Sequence, residues 1–308
     1  MVVEIFSQGI ARLAVPIFFF ISGFLFFQKV SSLSLELYRN KIKKRVRTLL
    51  VPYLLWNGIL LVALIGLYFV GYPYSVMKNG FSCEVLFKTF VGSFHETGAF
   101  PLIYPLWFIR DLFCVCLISP LIYECIKILR LIFVFILGTV WILGGEIPIL
   151  GYYMMSMSAL FFFSLGSYFS LLNLSVNEIV HHLRFAGFIY PIMLFFDIYF
   201  HNNILHNLAI LSGIIFVLWG TEYLLSHKNI APIPFLSSAT FFVFAIHEPI
   251  LLSTIRKLCL RIIPVINTYT LVISYFISIG ITTVVALGIY AVLRRICPKV
   301  LAVLNGGR

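Results

Sequence analysis

Two pairs of neighbouring ionisable residues stand inside otherwise apolar runs: Arg110–Asp111 in PLWFIRDLF and His247–Glu248 in FFVFAIHEPILL. A charge in an apolar setting is costly, so each of these residues is a candidate for function. An imidazole beside a carboxylate suits proton transfer near neutral pH. A guanidinium suits a developing oxyanion. A third cation, Arg12, lies in GIARLAVPIFFFISGF, where Pro16 loosens the helix and Ser22–Gly23 permits bending or close packing. Plainer roles stand beside each of these. Arg12 can snorkel to an interface. Trp107 can belong to an aromatic belt, and Arg110 can simply pair with Asp111 or Glu96. His247 can be a packing residue with one nitrogen satisfied. Adjacent helical positions do not face each other, so an Arg110–Asp111 pair requires a distorted turn or further partners.

Other polar groups gather in YFHNNILHN, where His201, Asn202, Asn203 and His206 make a turn that is either solvated or in contact with a sugar-like acceptor. Asp197, near the end of the preceding apolar run, receives no assignment. His181 and His182 read as part of a polar loop. The basic segment YRNKIKKRVRTLLVPYLLW is different in kind. Between Gln28 and Thr48 stand Lys29, Arg39, Lys41, Lys43, Lys44, Arg45 and Arg47, seven of the chain's 22 Lys and Arg. Such a cluster at the end of an apolar run fixes topology. It is also an electrostatic site for a lipid headgroup or a nucleotide phosphate.

The elements that must carry these residues are membrane helices. The chain has 308 residues, is 61% hydrophobic and only 11% charged, and has a mean hydropathy of +1.06. That is too few polar residues to clothe a soluble domain, so the fold class is all-α and polytopic in the membrane. Nine apolar runs are long enough to cross: about 9–28, 48–70, 103–123, 127–144, 152–172, 183–200, 205–226, 236–255 and 267–293. The longer loop 71–102 separates the second from the third. Placing the basic segment inside puts 15 positive charges on the cytoplasmic face and seven on the other, with a cytoplasmic C-terminus. Nine spans then start the chain outside, whereas an even number would put both ends in the cytoplasm. The first residues, MVVEIFSQ, carry no signal-peptide pattern. Either a further helix upstream or insertion of the first span with a short translocated N-terminus is therefore expected.

Several classes are excluded. The net charge of +11 is explained by loop asymmetry, without nucleic acid. The six cysteines have no zinc or redox spacing. No Gly-rich phosphate loop, Ser nucleophile elbow or metal cluster is present, and no metal site is expected.

FFFISGFLFF, the basic YRNKIKKRVRTLLVPYLLW, PLWFIRDLF and FFVFAIHEPIL occur in that order over about 6–255, and the ordered set resembles the membrane-bound acyltransferase family 3, including O-acetyltransferases of bacterial surface polysaccharides. The resemblance implies a single transmembrane acyltransferase domain over 1–308. It implies ten helices and a transfer from acyl-coenzyme A to a glycan hydroxyl. Lys44–Arg47, with Arg45 between, loosely matches the family's R-x-x-R motif and is implied to hold the coenzyme phosphates. The family's proposed base is a first-helix His, upstream of the segment equivalent to Ile5–Phe27, and no residue here inherits it. Arg12 and Arg110 are then the candidate oxyanion donors, His247 the remaining catalytic candidate, and Trp107, Asp111 and Glu248 the candidate acceptor contacts. The expected partners are a glycan or lipid-linked saccharide and membrane lipids, in the plasma membrane. A lipid or polysaccharide transporter, or an inactive truncated relative, are the alternatives.

Overall fold

A computed structural model describes residues 2–71, 82–92, 101–145, 155–228 and 231–307. Among these residues every regular element is helical. Five helices are long and apolar enough to cross a membrane: α1 (Val2–Phe27), α2 (Leu35–Phe69), α11 (Asn203–His227), α12 (Pro234–Ile262) and α13 (Thr268–Ile296). Two bent pairs raise the number to seven: α4 (Trp107–Leu117) with α5 (Ser119–Leu129) at 62°, and α7 (Met157–Leu171) with α8 (Val176–His182) at 112°. Shorter helices are α3 (Cys83–Phe90), α6 (Leu131–Ile142), α9 (Arg184–Phe188), α10 (Tyr190–Phe200) and α14 (Pro298–Leu304). Each of the nine apolar runs overlaps helix, but the boundaries differ: the 183–200 run is split between α9 and α10, and the 127–144 run begins in the end of α5. The count by length is five to seven because α4 and α5 part just before Pro120, α7 is too short alone and bends into α8 beyond its run, and α6 and α10 are short.

The contacts divide the chain into two compact units, each described by itself. Unit 1 comprises Met1–Ile42, Cys114–Ile147 and Met155–Pro232. Its densest seam joins α1 to α7. A Cβ on Gly23 would lie 2.1 Å from the Phe163 carbonyl oxygen, and one on Gly166 would lie 1.9 Å from that of Phe20. Only glycine fits at either point, so the two backbones touch, and Phe19, Phe26, Phe27, Phe162 and Phe163 close completely around them. Between helices surrounded by lipid there is little hydrophobic drive, so close packing of this kind supplies the cohesion. The α10–α11 hairpin packs on the same helix α1: Leu194 sits over Gly9, and Leu13 over Gly213. Ile192, Phe195, Tyr199 and Phe200 of α10 remain exposed, as lipid-facing side chains do.

Among the described residues, unit 2 is drawn from Lys43–Phe113 and Ile233–Arg308. Asn57, fully buried on α2, donates to the Tyr53 carbonyl at 2.9 Å and accepts the Ile103 N–H at 2.9 Å, which fixes the approach to α4. Trp56 packs edge-on against Phe242 and donates to the Leu304 carbonyl at 3.1 Å, tying α2 to α12 and α14. Gly306, at φ +70°, brings the chain back against the Thr48 carbonyl. The basic segment was expected as a loop. It is helical from Leu35 onward and runs into the span through one π turn, Val46–Leu50, which stands directly before Pro52, a residue with no N–H to give to the helical ladder.

Candidate active site

In unit 2, α3 and α4 meet at a knot of polar groups. Arg110 donates from Nε and Nη2 to Asp111 Oδ1 at 3.0 and 2.8 Å, and from Nη1 to the Val91 carbonyl. Tyr53 of α2 donates to the adjacent Phe90 carbonyl. The carbonyls that α3 leaves unpaired at its C-terminus are thus satisfied by a cation and a phenol. The Asp111 side chain is 1% exposed and that of Arg110 11%, so this is a buried, charge-assisted pair. Neighbouring Cβ atoms diverge on the helix, but the long Arg side chain arcs back to the carboxylate without distorting α4. Glu96, the other expected partner, and most of the 71–102 loop lie outside the described residues. Trp107 opens α4 and is half-buried.

The 3-10 turn Tyr104–Leu106 before α4 packs on the break in α12, and Phe108 stacks edge-on with Phe244 at 4.8 Å. PLWFIRDLF and HEPIL are therefore neighbours in space. The break arises at Glu248, whose backbone is extended (φ −123°, ψ 152°), as the residue before a proline prefers. Unpaired carbonyls there are taken up locally: the His247 ring lies 2.6 Å from the Phe244 oxygen, and the Ser253 hydroxyl donates to the Pro249 carbonyl at 2.6 Å. His247 also faces a cavity of about 440 Å³ between α12 and α13, shared with Thr240, Thr282 and several apolar side chains.

The basic segment lies at the start of the same unit. Lys44 and Arg47 are three residues apart on a helix, hence on one face, and both are exposed; Arg45 is half-buried. Among the described residues, Lys44 and Arg47 form no ion pair. Like charges at this spacing destabilise a helix by a few tenths of a kcal/mol, a cost that a bound anion removes.

Arg12 belongs to unit 1. It is exposed on a 3-10 turn and grips Gln8 Oε1 at 2.8 and 3.1 Å, and it lines none of the described cavities. Unit 1 also holds a pairing that the sequence left unassigned. Asp197 Oδ2 lies 2.8 Å from His206 Nδ1. Asp197 ends α10, His206 begins α11, and the two-residue turn between them is set by His201 in the left-handed region and by Asn202, whose side chain caps α11. A carboxylate and an imidazole flanking an Asn-capped helical hairpin is the signal that could have found it.

Residues 1–291 match the family model described as an acyltransferase domain. The chain belongs to the acyltransferase domain family. This acyltransferase is also similar to the succinoglycan biosynthesis protein ExoH of Rhizobium meliloti (strain 1021), at 24% identity over 321 residues, covering 98% of this chain and 81% of that one. No solved structure matches it. Its apolar helices make the acyltransferase a multi-pass membrane protein.

Proposed function

We propose that this acyltransferase takes an acyl group, most simply acetyl, from acyl-coenzyme A at the cytoplasmic face of the plasma membrane and esterifies a hydroxyl of a cell-surface or lipid-linked glycan. The observation that carries the reading is the exposed Lys44–Arg47 face at the entry to a membrane-length helix, in a chain that an acyltransferase model matches almost throughout. The coenzyme is rich in phosphate, and clustered Lys and Arg bind phosphate through charge-assisted hydrogen bonds. The likeness to a succinoglycan biosynthesis protein supports a polysaccharide acceptor. The excess of positive charge around the basic segment and in the tail supports a cytoplasmic C-terminus.

Acyl-coenzyme A supplies an activated thioester; the protein has to bind it, hold an acceptor hydroxyl against it and relieve the charge that develops. Lys44, Arg45 and Arg47 serve the first task. Arg110, a fixed cation held by Asp111 and the Val91 carbonyl at the start of α4, serves the third. Trp107, Asp111 and Glu248 shape the acceptor side, and His247 faces the adjoining cavity. The test is transfer of label from acetyl-coenzyme A to glycan in membranes containing the protein. The double variant Lys44→Ala/Arg47→Ala is expected to raise KM for the donor roughly tenfold or more while membrane insertion is unchanged. An unaltered KM removes the donor site from these residues; no transfer by the wild type removes the function.

A further inference from the structure

Towards the end of α11 away from the Asn202 turn, unit 1 holds a cavity of about 460 Å³ between α8 and α11. Glu222 stands in its wall. The Oε2 atom of Glu222 is shut off from solvent and has no hydrogen-bond partner among the described residues. A carboxylate oxygen on a membrane helix, out of water and unpartnered, is costly. Nothing in the acyl-transfer reading makes use of it, and the chain itself does not satisfy it. The cavity beside it is where a partner from outside the chain can sit.

The wall narrows down the chemistry of that partner. Thr221 donates to the Val217 carbonyl at 2.7 Å and Ser226 to the Tyr223 carbonyl at 3.0 Å, so both hydroxyls spend their protons on α11 and offer a ligand only lone pairs. With the carboxylate they form a set of acceptors, which suits a positive group carrying several N–H donors. A primary ammonium is such a group. A quaternary ammonium has no N–H to give and is recognised by aromatic cages, whereas no aromatic ring lines this cavity among the described residues. A calcium-like ion calls for roughly six or more oxygen ligands, commonly with several carboxylates, and Glu222 is the single acidic residue in the described wall. Asn177 adds an amide that can donate to an anionic oxygen close to the ammonium.

Depth and apolar surface decide where the ammonium comes from. Phe188, Trp219, Tyr223 and His227 stack in succession along this end of α11, with ring centres 4.8, 5.5 and 4.2 Å apart. Trp and Tyr favour the level of the lipid headgroups, which puts the cavity at that level. Val180, Leu218 and Leu225 give it an apolar side along which the first methylenes of a lipid can lie. We infer that this cavity binds the headgroup of an aminophospholipid, with its primary ammonium on Glu222 and its phosphodiester beside Asn177. The site lies within unit 1 and contains none of the residues assigned above to donor or acceptor, so it stands independently of the acyl-transfer reading. In the orientation proposed above it belongs to the cytoplasmic leaflet.

The test is native mass spectrometry of the detergent-solubilised protein titrated with phosphatidylethanolamine or with phosphatidylcholine of the same acyl chains, two lipids that differ only in the N-methyl groups. A single saturable phosphatidylethanolamine is expected, with phosphatidylcholine bound about tenfold or more weakly, the loss that goes with a charge-assisted hydrogen bond. Glycerophosphoethanolamine, the headgroup without its chains, should compete only weakly, and magnesium chloride should not compete. Glu222→Gln should bind both lipids alike, at the level of phosphatidylcholine on the wild type. Equal binding of the two lipids by the wild type overturns the site. A folded Glu222→Gln that keeps the preference also overturns it. If Glu222→Gln does not fold, the double variant Thr221→Val/Ser226→Ala, changed at exposed positions, decides: the preference should fall severalfold, and an unchanged preference overturns the site. Competition by magnesium, or by glycerophosphoethanolamine as strong as that of the whole lipid, overturns the lipid in favour of a metal cation or a soluble amine.

Discussion

Asp111→Ala is the substitution that most directly tests how unit 2 is held together. It removes the carboxylate that Arg110 grips with two N–H groups, while the guanidinium, whose side chain is only 11% exposed, keeps its bond to the Val91 carbonyl. Breaking a buried pair from one side costs about 3–5 kcal/mol, because the remaining charge is held out of water without that partner. The residual exposure of Arg110 places this case at the lower end, about 3 kcal/mol, or roughly a 150-fold shift in the folding equilibrium. For a chain of 308 residues that amounts to about 5 °C in Tm, at roughly 2 cal/mol/K of unfolding entropy per residue. The assay is thermal denaturation of detergent-solubilised protein followed by fluorescence-detected size exclusion. The double variant Arg110→Met/Asp111→Leu removes both charges at similar volume and should recover most of the loss, since a buried pair contributes little beyond an apolar one. Asp111→Ala within about 1 °C of wild type, or a double variant as unstable as the single, refutes the reasoning.

The α1–α7 seam makes a sharper steric demand: Gly166→Leu should prevent α1 and α7 from meeting at Phe20, abolishing folded protein on size exclusion. Gly306→Ala should destabilise by about 1–2 kcal/mol, since φ +70° is unfavourable for a residue with a Cβ and that Cβ would lie 2.4 Å from the Thr48 oxygen; thermal denaturation reads it. Orientation is read by cysteine labelling. A membrane-impermeant maleimide should modify exposed Cys83 in intact cells and reach half-buried Cys297 only after permeabilisation, and the opposite pattern would reverse the topology.

Helices were legible in the sequence because apolar runs of membrane length are a local signal: every one of the nine runs contains helix, although only five to seven spans of membrane length result. Their interruptions were less so. The Pro249 break follows from one residue, whereas the kink after Leu171 depends on how α8 packs. The charges of the basic segment mark a membrane boundary and so suggest a loop, yet charge says nothing against helix, and KIKKRVR is a good helix former. Arg110–Asp111 was doubted on the divergence of adjacent Cβ atoms, an argument that overlooks the reach of a guanidinium. His206 and Asp197 were seen only one at a time. Their meeting is a property of the hairpin, set by His201 and the Asn202 cap, and a scan of single residues for chemistry does not join groups nine positions apart.

The backbone contact of α1 with α7 has a consequence for how this chain is compared with distant relatives. At 24% identity most aligned positions carry little weight, since a Leu may stand for a Phe wherever lipid or a pliant neighbour absorbs the change. Gly23 and Gly166 do not share that freedom: each lies against the other helix's carbonyl, so neither can acquire a side chain without parting the two helices. The two positions therefore form one steric unit: glycine at both permits the seam, and a side chain at either drives α1 off α7.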